Sequence, residues 1–221
     1  EDCMHTAADP AAKAKYQGMI DFLIPIAKGY VTDRACEVCN LGIQVYGGYG
    51  YIRDYPMEQL LRDCRITPIY EGTNGIQAMD LLGRKLGQNQ GRPFMDLLAE
   101  IGTTIAAARG LERTAGAAGR LEEAVNLLGD TAMRLGAAAM SDKVMSAFAA
   151  AHPFMEVCGD VVTGWMLLWR GAAAAGALAA GSAGKDAVFY EGQLKGLEFF
   201  VQSILPVTLG KMDVVRGCGG A

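Results

Sequence analysis

Histidine is almost missing from this 221-residue chain: only His5 and His152 occur, which excludes a histidine-rich metal centre. Proline is scarce, at 7 residues, so little interrupts long regular elements. There is no cationic excess either. Twenty Lys and Arg against 24 Asp and Glu leave a formal net charge of −4, a balance that argues against the clustered positive surface nucleic acid requires. No basic segment followed by an apolar run opens the chain, so no secretory signal is expected and the cytoplasm is the expected compartment. Six cysteines (Cys3, Cys36, Cys39, Cys64, Cys158 and Cys218) do not make a disulfide scaffold. Cys36 and Cys39 form a C-x-x-C, yet no second pair or neighbouring His completes four zinc ligands. They read as small apolar residues on one helical face, and no metal is expected. The most apolar stretch, Val161 to Ala180, is broken by Arg170 and is mostly alanine in its second half; it reads as a buried helix, not a membrane span.

What is present is ordinary globular material, 51 % hydrophobic and 20 % charged, with an unusual 29 glycines. Almost all of it reads as helix. Asp9-Pro10 combines an N-cap with proline at the first helical position and opens a segment to about Leu23. Pro25 is expected to break it, with a second helix from Ile26 to Tyr46. On that helix Ala27, Tyr30, Val31, Arg34, Ala35, Val38, Leu41 and Val45 recur at three and four, the spacing of one buried stripe. Gly47-Gly48-Tyr49-Gly50 stops the helix. A short helix follows from Pro56 to Arg65, then a connector from Ile66 to Gly72, and Thr73 can cap a helix to about Leu86. Residues 87–93 are polar and turn-rich, as in a linker. Beyond them lie amphipathic segments near 94–116, 120–151, 154–180 and 186–205, with His152-Pro153 and Gly181-Ser182-Ala183-Gly184 as turns. Alanine-rich faces let these helices approach closely, as in an antiparallel bundle. No strand period is present. The expected fold is all-α in two helical parts, residues 1–87 and 88–221.

The residues with chemical potential lie between Leu41 and Leu86. A helix ending in Gln44 and a diglycine presents an amide and uncovered backbone groups at one spot, which a phosphate-bearing ligand can approach without clash. A plain helix C-cap explains the same residues. Glu71-Gly72-Thr73 places a carboxylate beside a flexible residue and a helix start whose free N–H groups bind polar groups. Flanked by Ile69 and Tyr70, that carboxylate is expected to be partly desolvated, which strengthens it as a base. An exposed Glu ahead of a helix is the plain alternative. Arg62, Asp63 and Arg65 read as a solvated or ion-paired face. Tyr46, Tyr49, Tyr51, Tyr55 and Tyr70 either line a ligand or pack around the glycine turn.

Together these residues are more specific than any one of them. The order Gln44-Val45-Tyr46-Gly47-Gly48-Tyr49-Gly50-Tyr51, then Asp54-Tyr55-Pro56-Met57-Glu58, then Ile69-Tyr70-Glu71-Gly72-Thr73-Asn74-Gly75-Ile76-Gln77 closely resembles the C-terminal helical domain of acyl-CoA dehydrogenases. The resemblance covers roughly residues 10–86. Residues 88–221 look like the extra helical domain of a longer subgroup that includes the 3-methylmercaptopropionyl-CoA dehydrogenase-like enzymes. The fold implied is a dehydrogenase C-terminal helical bundle followed by a second antiparallel bundle.

The resemblance implies FAD-dependent α,β-dehydrogenation of an acyl-CoA thioester to a 2-enoyl-CoA, with Glu71 as the base that takes the α-proton. It implies that Gln44, Val45, Tyr46, Gly47 and Gly48 meet the FAD of a neighbouring subunit, and that Thr73, Asn74 and Gly75 meet the chain's own. Tyr70 and Gly72 match positions that touch substrate. An electron-transfer flavoprotein as acceptor and a homo-oligomer, a dimer or dimer of dimers, are implied as well. Family members of the isovaleryl type carry the base on another helix; a glutamate at position 71 argues against that arrangement. Tyr46 departs from the His or Phe common at its position, and its hydroxyl needs a partner or water. The family's N-terminal helical and β domains have no counterpart in these residues. With Glu1 in place of Met, the chain is expected to be a C-terminal piece that binds FAD weakly and turns over negligibly. The rival reading is a non-catalytic helical assembly module.

Overall fold

The structure is a computed structural model that describes residues 2–181 and 184–218; Ser182 and Ala183 of the expected glycine turn lie outside the described residues. Every regular element among them is helical. A short α1 (Asp2–Thr6) precedes α2 (Pro10–Tyr46), whose N-terminus is capped by the Asp9 carboxylate accepting from the Ala11 and Ala12 N–H groups. The expected break at Pro25 does not occur: α2 runs through it for 37 residues. An internal proline forfeits a backbone hydrogen bond and costs about 3 kcal/mol. Here that cost is offset by burial, because Gly18, Met19, Phe22, Pro25, Ile26 and Gly29 form the inward face of α2. The expected stripe is likewise displaced. Val31, Val38, Leu41 and Val45 are exposed, Val45 at 84 %.

After α2 come α3 (Gly48–Tyr51), α4 (Met57–Cys64) and α5 (Asn74–Asp80), the last capped by the Thr73 hydroxyl oxygen accepting from the Ile76 N–H at 3.3 Å. A π-turn at Leu81–Lys85 extends α5, closed by the Leu86 N–H donating to the Leu81 carbonyl at 2.8 Å. The expected linker is a tight reversal in which Asn89, Gln90 and Gly91 all take positive φ.

The second half holds α6 (Arg92–Arg109), α7 (Glu112–Ala139), α8 (Val144–Ala149), α9 (Ala151–Ala179), α10 (Ala187–Phe199), a π-turn at Phe200–Ile204, and α11 (Leu205–Gly217). The boundaries differ from those expected. The first reversal falls at Gly110–Leu111, where the buried Thr114 hydroxyl donates to the Ala108 carbonyl at 2.7 Å. His152 and Pro153 sit in the first turn of α9, not in a loop; proline is tolerated there because first-turn N–H groups have no helical partner. For the same reason Pro206 starts a further helix past the expected end.

Hydrophobic burial runs unbroken across the reversal at 88–91. Met19, Phe22, Ile26, Ala78, Leu81 and Leu82 from the first half share one cluster with Phe94, Leu97, Ile101, Phe154, Met155 and Val161 from the second. α9 has the length and apolarity to cross a membrane. It instead contributes Phe154, Met155, Val157, Val161 and Leu168 to this core and packs against α2, α6, α7, α10 and α11.

Candidate active site

The segment from Ile66 to Asn74 is a succession of turns. The Ile69 and Tyr70 N–H groups donate to the Ile66 carbonyl, and the Asn74 N–H closes the loop on the Pro68 carbonyl at 3.0 Å. At its apex Glu71 takes φ 57° and Gly72 φ 83°. Glycine occupies the left-handed region freely, whereas a glutamate there is strained. Neighbouring groups hold the apex in place. Lys28, on α2, donates through Nζ to the Gly72 carbonyl at 2.7 Å and to Asn74 Oδ1 at 2.8 Å. Gln77 Nε2 donates to the Glu71 carbonyl at 3.3 Å.

Asn74 is buried, and its amide is consumed within the chain. Nδ2 donates to the Gly29 carbonyl at 3.0 Å and to Asp33 Oδ1 at 2.8 Å. Asp33 Oδ2 in turn lies 3.2 Å from His152 Nε2 at the start of α9. A line of polar groups therefore runs from the second half of the chain, through Asp33 and Asn74, to the turn that bears Glu71. The Asn74 side chain anchors this turn and has no spare hydrogen to offer a ligand. Lys28, Asp33 and His152 were not singled out from the sequence in this role. No local pattern marks them, because their partners lie 44, 41 and 119 positions away.

Tyr70, Glu71, Gly72, Thr73 and Gly75 are solvent-exposed. Within this chain the desolvation expected around Glu71 is not supplied, since Ile69 and Tyr70 are themselves 52 % and 48 % exposed. Among the described residues no cation pairs with the Glu71 carboxylate.

Gln44, Val45, Tyr46, Gly47 and Gly48 are exposed at the far end of α2. Gly47, at φ 61°, ends the helix by donating its N–H to the Gln44 carbonyl at 3.1 Å. A Cβ built on Gly48 meets nothing within 4 Å, so packing inside the chain does not account for that glycine. Gly50 differs: a Cβ there would lie 2.6 Å from the Ile43 carbonyl oxygen. Tyr55 stacks at a tilt between Tyr46 and Tyr49, with ring centroids 6.4 and 5.2 Å away. Lys28 and Gln44 are 16 residues apart on α2, about 24 Å along its axis at 1.5 Å per residue. The two groups of candidate residues therefore stand at separate places on one chain.

Between them lies a cleft of about 970 Å³ that joins Ile43, Tyr51, Ile52, Leu61, Ile66 and Ile69 with Arg53, Glu58, Arg62 and Arg65. The expected ion-paired face is present, Arg62 pairing with Glu58 one turn earlier on α4. The same arginines also edge an apolar cleft, which helical spacing alone does not reveal.

Two family models match the chain: "Acyl-CoA dehydrogenase, C-terminal domain" over residues 3–86 and "Acetyl-CoA dehydrogenase C-terminal like" over residues 97–220. The chain belongs to the acyl-CoA dehydrogenase family. It is 40 % identical over 199 residues to a 3-methylmercaptopropionyl-CoA dehydrogenase of Ruegeria pomeroyi, covering 88 % of this chain and 32 % of that protein. It is 34 % identical over 216 residues to a butyryl-CoA dehydrogenase of Syntrophomonas wolfei, covering 97 % of this chain and 35 % of the relative. A shorter stretch, 61 residues at 44 % identity, matches a caffeyl-CoA reductase–Etf complex subunit of Acetobacterium woodii, 28 % of this chain and 16 % of that subunit. The chain thus spans about a third of the length of the two long-matching relatives.

Proposed function

We propose that this chain carries the base of an FAD-dependent acyl-CoA dehydrogenase, with Glu71 taking the α-proton of an acyl-CoA thioester on the way to a 2-enoyl-CoA. One observation carries the reading. The strained left-handed backbone at Glu71 is locked by Lys28, Asn74 and Gln77 around an exposed, unpaired carboxylate. Strain of that kind persists where its surroundings over-determine it, and it concentrates at functional positions.

In this reading the Glu71 carboxylate removes the proton from the carbon next to the thioester carbonyl. The charge left behind spreads onto the carbonyl oxygen, and the Glu71 backbone N–H is this chain's donor to that oxygen. Tyr70 and Gly72 border the acyl chain. When bound, FAD supplies the hydride acceptor for the β-carbon. The residues present suit such a cofactor. Gly48 leaves open space that nothing in the chain fills, so Gln44, Val45, Tyr46, Gly47 and Gly48 can receive an FAD. Thr73 and Gly75 face solvent beside Glu71 and can receive another, with Asn74 holding the turn beneath them.

The separation of about 24 Å along α2 favours a homo-oligomer, in which each FAD is shared between the glycine turn of one subunit and the Glu71 turn of the next. The acceptor proposed is an electron-transfer flavoprotein. The Acetobacterium relative, named as a subunit of a caffeyl-CoA reductase–Etf complex, supports that choice.

The test is Glu71→Gln in the full-length enzyme. Enoyl-CoA formation is expected to fall by about 10²- to 10⁴-fold while FAD stays bound. Unchanged turnover would remove Glu71 from the chemistry and leave the helical assembly role.

A further inference from the structure

Away from this site, two of the six cysteines meet between α2 and α4, with a third one turn further along α2. Cys36 and Cys39 are one turn apart on α2, and Cys64 is the last residue of α4. Cys64 Sγ lies 3.7 Å from Cys36 Sγ. The Cys36 thiol faces the Cys64 carbonyl at 3.6 Å, and the Cys64 thiol donates to the Leu61 carbonyl at 3.2 Å. All three are partly exposed, whereas Cys158 is buried and Cys3 and Cys218 are exposed near the chain ends. The apolar role expected for Cys36 and Cys39 leaves unexplained why a third thiol, 28 positions from Cys36, comes into contact with it.

We infer that Cys36 and Cys64 form an oxidisable dithiol, which a peroxide converts to a disulfide that staples α4 to α2. The chemistry balances as two steps. Cys36 sulfur attacks one peroxide oxygen, the O–O bond breaks, and a sulfenic acid and water result. Cys64 sulfur then attacks Cys36 sulfur and the S–O bond breaks. The hydroxide that leaves takes the Cys64 proton as a second water. The two thiols lose two electrons and two protons, and the peroxide is reduced to two waters.

The roles follow from the surroundings. Desolvation, with hydrogen bonds to Cys36 and Cys39, pushes the Cys64 thiol up to about 12. Cys64 therefore stays protonated at neutral pH and acts as the resolving partner through contact, not through thiolate character. The two sulfurs, 3.7 Å apart, must close to the bonding distance of about 2.05 Å. The bond would close a loop containing Gln44 to Gly48 and the tyrosines around it. It would also fix α4, which supplies Leu61 and Arg62 to the cleft. The inference does not depend on the proposed dehydrogenase activity.

The test uses the 221-residue chain with Cys3→Ser and Cys218→Ser, so that exposed terminal thiols cannot cross-link. Hydrogen peroxide at pH 8 is expected to consume two of the remaining thiols, with intact mass falling by two hydrogens. Non-reducing peptide mapping should show Cys36 joined to Cys64, and dithiothreitol should reverse it. The thermal midpoint of the oxidised form should rise by roughly 5–10 °C. In the Cys64→Ser variant the mass loss should vanish and Cys36 should pass on to sulfinic acid. A map joining Cys36 to Cys39, or sulfinic acid at Cys36 with Cys64 still reduced in the parent chain, overturns the inference.

Discussion

Glu71 holds the left-handed conformation at a cost of about 1–2 kcal/mol, because its Cβ crowds the following carbonyl. Glu71→Gly removes that crowding and is expected to raise unfolding stability by about 1 kcal/mol in chemical denaturation while abolishing the proposed activity. A stabilised, inactive variant would separate the demands of function from those of folding. Asn74 works in the opposite sense. Asn74→Ala removes the amide donor to Asp33 Oδ1 and the Gly29 carbonyl and one of the two acceptors of the Lys28 ammonium, and is expected to cost about 1–3 kcal/mol by the same measurement. A loss below 0.5 kcal/mol would mean that this turn is held by other contacts. Glu71, Gly72 and Thr73 could be singled out from their order along the chain. The inward anchoring role of Asn74 could not be read in the same way, because its amide meets groups on α2 that lie more than 40 positions away.

Between elements, α2 and α9 define how the two halves meet. A Cβ on Gly159 of α9 would sit 2.2 Å from the Tyr30 ring, so only glycine allows the crossing at this distance. Gly159→Ala is expected to cost about 1–3 kcal/mol, read as a lower denaturation midpoint. At the same crossing the Tyr30 hydroxyl donates to Asp160 Oδ1 at 2.7 Å, and the Thr208 hydroxyl of α11 donates to Asp160 Oδ2 at 2.9 Å. Burial, reinforced by the Asp160 hydrogen bond, holds the Tyr30 phenol well above its ordinary value of 10.0. A raised folded-state value means that this contribution is complete below about pH 10 and is lost as pH climbs beyond it. Alkaline titration should therefore destabilise the protein above pH 10, and Tyr30→Phe should blunt that loss while lowering stability at neutral pH. Equal pH profiles for the two proteins would refute the assignment. Pro25 carries the lesson at this scale: a residue that breaks helices in isolation is accommodated here because the α2 face around it is buried.

For the whole molecule, a core that crosses residues 88–91 predicts joint unfolding of the two halves. Far-ultraviolet circular dichroism and the fluorescence of Trp165 and Trp169 should report one coincident transition in denaturant, and two separated transitions would show independent units. The same wholeness does not extend to the candidate active site, since the Glu71 turn and the glycine turn stand apart along α2 and each faces solvent. Composition, helical periodicity and three ordered motifs determined that this protein is all-α and belongs among the acyl-CoA dehydrogenases, because those features are local and survive without neighbours. Tertiary structure alone decided which face of α2 is buried, that Lys28, Asp33 and His152 hold the Glu71 turn, and that Cys64 meets Cys36. Each of those depends on residues far apart in the chain being packed side by side, and a periodicity along one helix records nothing about what lies across from it.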